Sequence, residues 1–468
     1  MNLGKTLDSS NKWMNKNIFG RFTSIQIIVF YYIVLTILAF VLFQLPFFRQ
    51  PDSHVETLDL VFMAFSTTSV TGLSTFNIAD VFNQNGVVLL QILFQVGGLG
   101  IMMISTFFAI LSKRKVTLRQ RQLIMTDMNQ PRLSGVVRLI QRTFIIIFAI
   151  QILFGIGFGL YFDSIGRFST SAQNLFWGMF ESVSAVTNSG FDVSGSSLMP
   201  LAHDHLFLLV IMSLIAVGGI GFPVLLEITE WFFSRLDKRK RIHFRFSLFS
   251  KLALVSFIGL FLIGAFLIYL FERHHLFEYW GRMDSWMTAF FYSMSTRNAG
   301  LQMNPLTDFQ PNTLLIFSVL MFIGASPSSV GGGIRTTTVV IVFLYVISFL
   351  KGEENVNIFG RQIDQKDVRK SVVVMYLSLL FCFIACLILM AVHPEFRMID
   401  ILVEVTSAFG TTGLSMGITP ELETIGKVTL IVLMFVGRVG TLYMLMLFVP
   451  KQARDLGYKY PTEKIIIG

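Results

Sequence analysis

The sequence predicts an all-α integral membrane protein with eight transmembrane helices, grouped as four repeats of helix, re-entrant loop and helix about one axis. Three observations carry this. The 468 residues are 53% hydrophobic and 14% charged, with a mean hydropathy of +0.67, against about 25% charge in an ordinary soluble domain. Apolar runs long enough to cross a ~30 Å hydrocarbon core begin near Ser24, Gly86, Val137, His205, Leu252, Thr313, Ser371 and Lys427. Within each pair lies a shorter stretch, such as 58–71 or 398–412, too small or too polar to span, and glycines recur there at a near-constant period.

In chain order, residues 1–21 are polar and lead straight into a full-length span, so no cleavable signal is expected and they form a cytoplasmic N-terminus. Repeat 1 covers 22–111, repeat 2 137–233, repeat 3 249–350 and repeat 4 371–449. Cytoplasmic loops lie at 112–136, 234–248 and 351–370, and a cytoplasmic C-terminal tail at 450–468. The orientation follows from the basic residues: 1–21, 112–138, 234–251, 351–370 and 450–468 hold 27 of the 37 lysines and arginines. That asymmetry is the positive-inside pattern. It accounts for the net charge of +9 by membrane orientation and excludes nucleic acid as the partner; the partner surface is the lipid bilayer.

The repeats are read from the glycines. Each re-entrant stretch closes on one: Ser69-Val70-Thr71-Gly72, Thr187-Asn188-Ser189-Gly190, Arg297-Asn298-Ala299-Gly300 and Gly410-Thr411-Thr412-Gly413, with spacings of 118, 110 and 113 residues. A second landmark follows each: Gly97-Gly98, Gly218-Gly219, Gly324-Ala325 and Gly437-Arg438. One such pair in a membrane helix is an ordinary packing site, but four in register make helix–pore loop–helix repeats around a central pore. Irregular backbone at membrane depth is tolerated only where protein or water covers it. Chain returning from a half-helix turns carbonyls inward, and a ring of carbonyls replaces the hydration shell of a bare cation. The negative helix ends favour the same sign of charge, so an anion site is excluded.

Repeat 3 departs from the pattern. Its second helix is interrupted by Gly324-Ala325-Ser326-Pro327-Ser328-Ser329-Val330-Gly331-Gly332-Gly333, and a proline followed by three glycines does not sustain a helix. A mid-membrane loop is expected there. Arg438 fills the register position of Gly98, Gly219 and Ala325, which puts a guanidinium under the four glycines, where it opposes cations and reaches loop carbonyls. Arg297, three residues before Gly300, is expected to brace the loops from behind, paired with Glu181 or Glu404, which stand nine residues before their own glycines. Arg335 is expected to anchor the loop and Arg142 to snorkel towards the cytoplasm.

The four glycine strings and the glycine-pair midpoints, in this order, resemble the Trk/Ktr/HKT potassium transporter superfamily over about 22–448, most like the membrane subunit of a bacterial Ktr system. The resemblance implies a K+-conducting selectivity filter built by Val70, Thr71, Gly72, Asn188, Ser189, Gly190, Asn298, Ala299, Gly300, Thr411, Thr412 and Gly413. It implies that the 324–333 loop is a gate, that K+ is the cargo with Na+ as a possible activating ion, and that the chain forms a homodimer with a cytosolic nucleotide-binding ring subunit. The alternative within the superfamily is a sodium-permeable channel or a K+/Na+ symporter. The apolar tail 464–468 would either tuck into the dimer interface or stay disordered.

An enzyme is not expected. The seven histidines fall in loops or at helix ends without a metal-binding spacing, and Cys382 and Cys386 lie four apart in an apolar helix with no histidine nearby. No organic cofactor is implied.

Overall fold

The computed structural model describes residues 23–447, apart from 52, 101–102, 105, 108–111, 113–115, 128–134, 192–194, 196 and 237–244, together with residue 463. The N-terminus, the C-terminal tail beyond 447 other than 463, and parts of the cytoplasmic loops expected at 112–136 and 234–248 lie outside the described residues.

Each repeat opens with a long apolar helix, α1 Ser24–Gln44 in repeat 1 and its counterparts in the others. The N-caps are written in the sequence. Thr23 forms a capping box with Gln26 at the start of α1, and two short helices follow, α2 Thr57–Ser69 and α3 Ile78–Val81. Asn83 Oδ1 then accepts from Gly86 N at 3.0 Å to open α4 Gln84–Leu99. After α5 Leu118–Asp127, repeat 2 contains α6 Val136–Ser164, α7 Ser171–Thr187, α8 His205–Gly219 and α9 Phe222–Leu236. Repeat 3 contains α10 Leu248–Glu272, α11 Arg282–Ser295, α12 Pro311–Phe322 and α13 Thr336–Leu350. Repeat 4 contains α14 Gln365–Val392, α15 Met398–Gly410, α16 Thr424–Val439 and α17 Thr441–Met446.

Among the described residues four helices, α1, α6, α10 and α14, are long and apolar enough to cross a membrane. Their outer faces are apolar, with Ile37, Leu153, Ile263 and Phe383 exposed, as a lipid-facing surface requires. Continuous second helices, interrupted only in repeat 3, are not what the structure contains. α4 stops at Gly100 (φ 84°), α8 and α9 meet at 112° around Gly221 (φ 99°), and α16 stops at Gly440 (φ 99°). A positive φ is outside the helical region and nearly free only for glycine, so the helix must end there. Repeat 3 differs in the length of its break, which runs from Phe322 to Thr336.

The second helices of all four repeats pack against the short helix of the repeat that follows: α4 on α7, α8 on α11, α12 on α15, and α16 back on α2. The chain thereby closes into a circle. The expectation of a purely helical chain needs one correction, a two-stranded antiparallel hairpin in the 351–370 loop. Asn357 pairs with Gln362, and Phe359 and Gly360 turn it at φ 51° and 71°, the geometry that suits a two-residue hairpin.

Candidate functional site

The short helices α2, α7, α11 and α15 lead into the four glycine segments and finish in the same way. Two residues before each glycine, Val70, Asn188, Asn298 and Thr411 adopt the left-handed conformation, at φ 60°, 53°, 77° and 53°. In three repeats the next amide bonds back over the helix end, Thr71 N to Ser66 O at 2.9 Å, Ser189 N to Ser184 O at 3.0 Å and Thr412 N to Ser407 O at 2.8 Å; in repeat 3, Gly300 N reaches Ser295 O at 3.3 Å. This is the Schellman ending, made here without glycine at the left-handed position.

The glycines that follow are also left-handed, Gly72 at φ 91°, Gly190 at 65°, Gly300 at 68° and Gly413 at 96°. They touch in a ring. A Cβ built on Gly72 would lie under 3.0 Å from Ser189 O, on Gly190 from Ala299 O, on Gly300 from Thr412 O, and on Gly413 from Thr71 O. Repeat 1 thus abuts 2, 2 abuts 3, 3 abuts 4 and 4 abuts 1 through backbone alone. No side chain fits at any of the four positions.

A set of serines missed in the sequence reading ties each ring segment to its own helix. Ser66 Oγ donates to Leu73 O and Ser295 Oγ to Leu301 O, both at 2.6 Å, Ser184 Oγ reaches Phe191 O at 3.5 Å, and Ser407 Oγ accepts from Gly413 N at 3.1 Å. The available signal was a serine six residues before the glycine in repeats 1, 2 and 4, and five before it in repeat 3. In repeat 3 the phenol of buried Tyr292 also accepts from Met303 N and Asn304 N at 3.2 and 2.9 Å and donates to Asn304 O at 2.8 Å.

Beneath the ring lies the 324–333 segment, which is non-helical and buried almost throughout. It is stitched to three repeats. Ser326 N and Val330 N donate to Gly219 O and Gly218 O at 3.0 and 3.2 Å, and Phe222 N donates to Ser328 O at 2.8 Å. Gly333 N donates to Gly437 O at 3.1 Å and Gly332 N to Thr411 Oγ1 at 2.9 Å. Arg438, buried at the end of α16, donates through Nη1 to Val330 O and through Nη2 to Gly97 O and Gly98 O, the last at 2.9 Å. One guanidinium therefore joins the loop of repeat 3 to the helix break of repeat 1. Arg335 holds the loop from its other end, donating to Gly331 O and Ser326 O.

The expected brace is not formed. Arg297 is buried, but its guanidinium stacks on Phe257, 4.0 Å from the ring centroid, and donates to Phe257 O. Glu404 faces the other way and accepts from Ser415 Oγ, from Met416 N at 3.0 Å and from Thr419 Oγ1 at 2.9 Å. No ion pair between Arg297 and Glu181 or Glu404 occurs among the described residues. The reason is local: an aromatic face and a helix carbonyl lie on the same side as the arginine, and cation–π contact offsets part of its desolvation. Arg142 pairs with Glu230 at a half-exposed position.

No cluster of metal-ligating side chains occurs among the described residues. Long apolar helices enclosing four half-helices whose ends meet in a backbone ring define a polytopic membrane protein with an axial site. The sequence from 47 to 455 matches the TrkH family, described as cation transport proteins. The chain belongs to that family. It is 38% identical to the Ktr system potassium uptake protein D of Bacillus subtilis, over 95% of this chain and 97% of that one. It is 33% identical to the potassium/sodium uptake protein NtpJ of Enterococcus hirae, over 97% and 99%. The crystal structure of the potassium transporter TrkH from Vibrio parahaemolyticus superposes with a TM-score of 0.70 at 17% identity, covering 92% of this chain and 86% of that one, and shares the fold.

Proposed function

We propose that the chain is the ion-translocating membrane subunit of a potassium uptake system, conducting K+ along the axis of the ring. The observation that carries this reading is the closed circle of four left-handed glycines, each seated against a carbonyl of the next repeat. Carbonyls held in such a circle substitute for the water that a bare cation gives up. Val70, Thr71 and Gly72 and their counterparts in the other repeats form the selectivity filter, the 324–333 loop is the gate beneath it, and Arg438 is the barrier. Every second helix, although broken, completes a crossing, which gives eight crossings with both termini cytoplasmic.

A second reading, permeation or coupling of Na+, is favoured by one relative, whose name pairs potassium with sodium. Potassium uptake in transport-deficient cells, with and without sodium, separates the two. Uptake of K+ that saturates independently of Na+ supports a K+ pore, a fixed K+:Na+ stoichiometry supports coupling, and no uptake removes both. Two B. subtilis relatives are named as Ktr system potassium uptake proteins. A Ktr system supports partnering with regulatory subunits, which this reading takes to be a cytosolic nucleotide-binding ring, together with a second copy of the chain and Na+ as an activating ion. The 464–468 tail expected at the dimer interface lies outside the described residues.

A further inference from the structure

Three of the pore helices carry an acid in the first turn, Asp59, Asp284 and Asp400, and each has a basic partner: Lys427 Nζ at 2.7 Å, His205 Nε2 at 2.7 Å and Arg397 Nη2 at 2.8 Å. Glu404, deeper in α15, is different. It is fully buried, and among the described residues no lysine, arginine or histidine pairs with it. Among the described residues its hydrogen-bond partners are neutral donors from the chain that has just left the ring: Ser415 Oγ, Met416 N and Thr419 Oγ1. Met416 N can only donate. Ser415 Oγ donates to Glu404 Oε1, accepts from Gly417 N at 2.9 Å and lies 3.2 Å from Thr419 Oγ1.

A buried carboxylate is ordinarily matched by a cation, because leaving it alone is costly. Here the missing positive charge can be supplied by what passes along the axis. We propose that Glu404 is a positioning residue whose negative charge sets the affinity of the ring for its cation, while its three hydrogen bonds hold the outgoing segment of repeat 4. The proposal rests on the ion-conduction reading above. Ser415 is two residues past Gly413, a reach of at most about 7 Å, so the carboxylate stands on the order of 10 Å from the ring. At that separation and an effective dielectric of ~20, one charge changes cation affinity on the order of tenfold.

The register of the repeats gives the comparison its control. At the same distance before the glycine, repeat 1 has Met63, repeat 2 Glu181 and repeat 3 Phe291. Repeat 3 clamps its outgoing segment with the neutral phenol of Tyr292 instead. Anchoring alone therefore needs no charge.

The test is K+ uptake by the full chain, reading the half-saturating K+ concentration and the maximal rate separately, with the thermal unfolding midpoint as the folding check. Glu404→Gln keeps an acceptor for Ser415 and Met416, lets its amide donate to Thr419, and removes the charge. It should raise half-saturation on the order of tenfold at an unchanged maximal rate. Tyr292→Phe, which loosens a neutral clamp, should leave half-saturation within about twofold. Unchanged half-saturation in a folded Glu404→Gln chain overturns the proposal, as does an equal rise in both variants. Should Glu404→Gln not fold, Glu404→Asp decides, because it keeps the charge: half-saturation within about twofold of wild type supports the proposal, and a tenfold rise overturns it. Wild-type protein that takes up no K+ would sink the conduction reading itself, a distinguishable failure.

Discussion

The ring of glycines and the layer directly beneath it are built by opposite means. In the ring, every repeat contributes the same thing: a left-handed residue, then a left-handed glycine, placed by backbone geometry and seated against a neighbouring carbonyl. In the layer below, the contributions are unequal: repeats 1 and 2 give backbone groups, while repeats 3 and 4 also give a loop and an arginine. Repeat 3 supplies the 324–333 loop, repeat 4 supplies Arg438 and Thr411, repeat 1 supplies the carbonyls of Gly97 and Gly98, and repeat 2 supplies those of Gly218 and Gly219. On the reading proposed above, backbone repetition suits an even set of ligands for a small sphere of charge, and a gate that must move is better made one-sided. A symmetric obstacle would need four concerted changes.

The largest expected effect comes from breaking the ring. Gly300→Ala places a Cβ under 3.0 Å from Thr412 O at a backbone angle of φ 68°, where an L-residue already costs about 1–2 kcal/mol. K+ uptake should fall by more than an order of magnitude and K+/Na+ discrimination should collapse in competitive binding; an alanine variant with wild-type discrimination would break the comparison. Next is the layer below. Deleting 328–332 should raise ion flux severalfold, and Arg438→Gln should raise it by less, since the loop remains and one unit of repulsion is lost. Flux assays in liposomes check both, and lower flux in folded protein would remove the gate and barrier assignments.

A smaller effect sharpens the boundary between the two regions. Thr411 belongs to the ring segment, yet its hydroxyl accepts from Gly332 N of the loop at 2.9 Å. Thr411→Val leaves that buried amide unpartnered, at about 1–3 kcal/mol, and should both lower the unfolding midpoint and raise flux modestly. Smallest is Ser295→Ala, which removes one neutral hydrogen bond to Leu301 O, worth about 1 kcal/mol. Its effect should appear in discrimination rather than in flux, because it touches the ring and not the layer below.

The four glycines were legible in the sequence because the constraint is steric. Only glycine fits at 72, 190, 300 and 413, so the residue type itself records the geometry. The broken second helices were half legible. The glycine pairs marked the place, but whether Gly100, Gly221 or Gly440 ends a helix or merely packs depends on its φ, which composition does not carry. The register position of Arg438 was legible because the glycine pairs align along the chain, and its guanidinium donates to Gly98 O and Val330 O. The partner of Arg297 was not, because whether a guanidinium meets a carboxylate or an aromatic face depends on how α10 and α11 rotate against each other. The serine ties went unnoticed because serine is common and the offset in repeat 3 slips by one residue.

Arg438 has one further consequence. A ring assembled from four separate, identical subunits would carry such an arginine four times, and four like charges crowded about one axis would repel each other and shut the path outright. Joining the repeats covalently lets each drift on its own, so that a single guanidinium can stand opposite a single loop. The stoichiometry of one is available only to a chain that is its own tetramer.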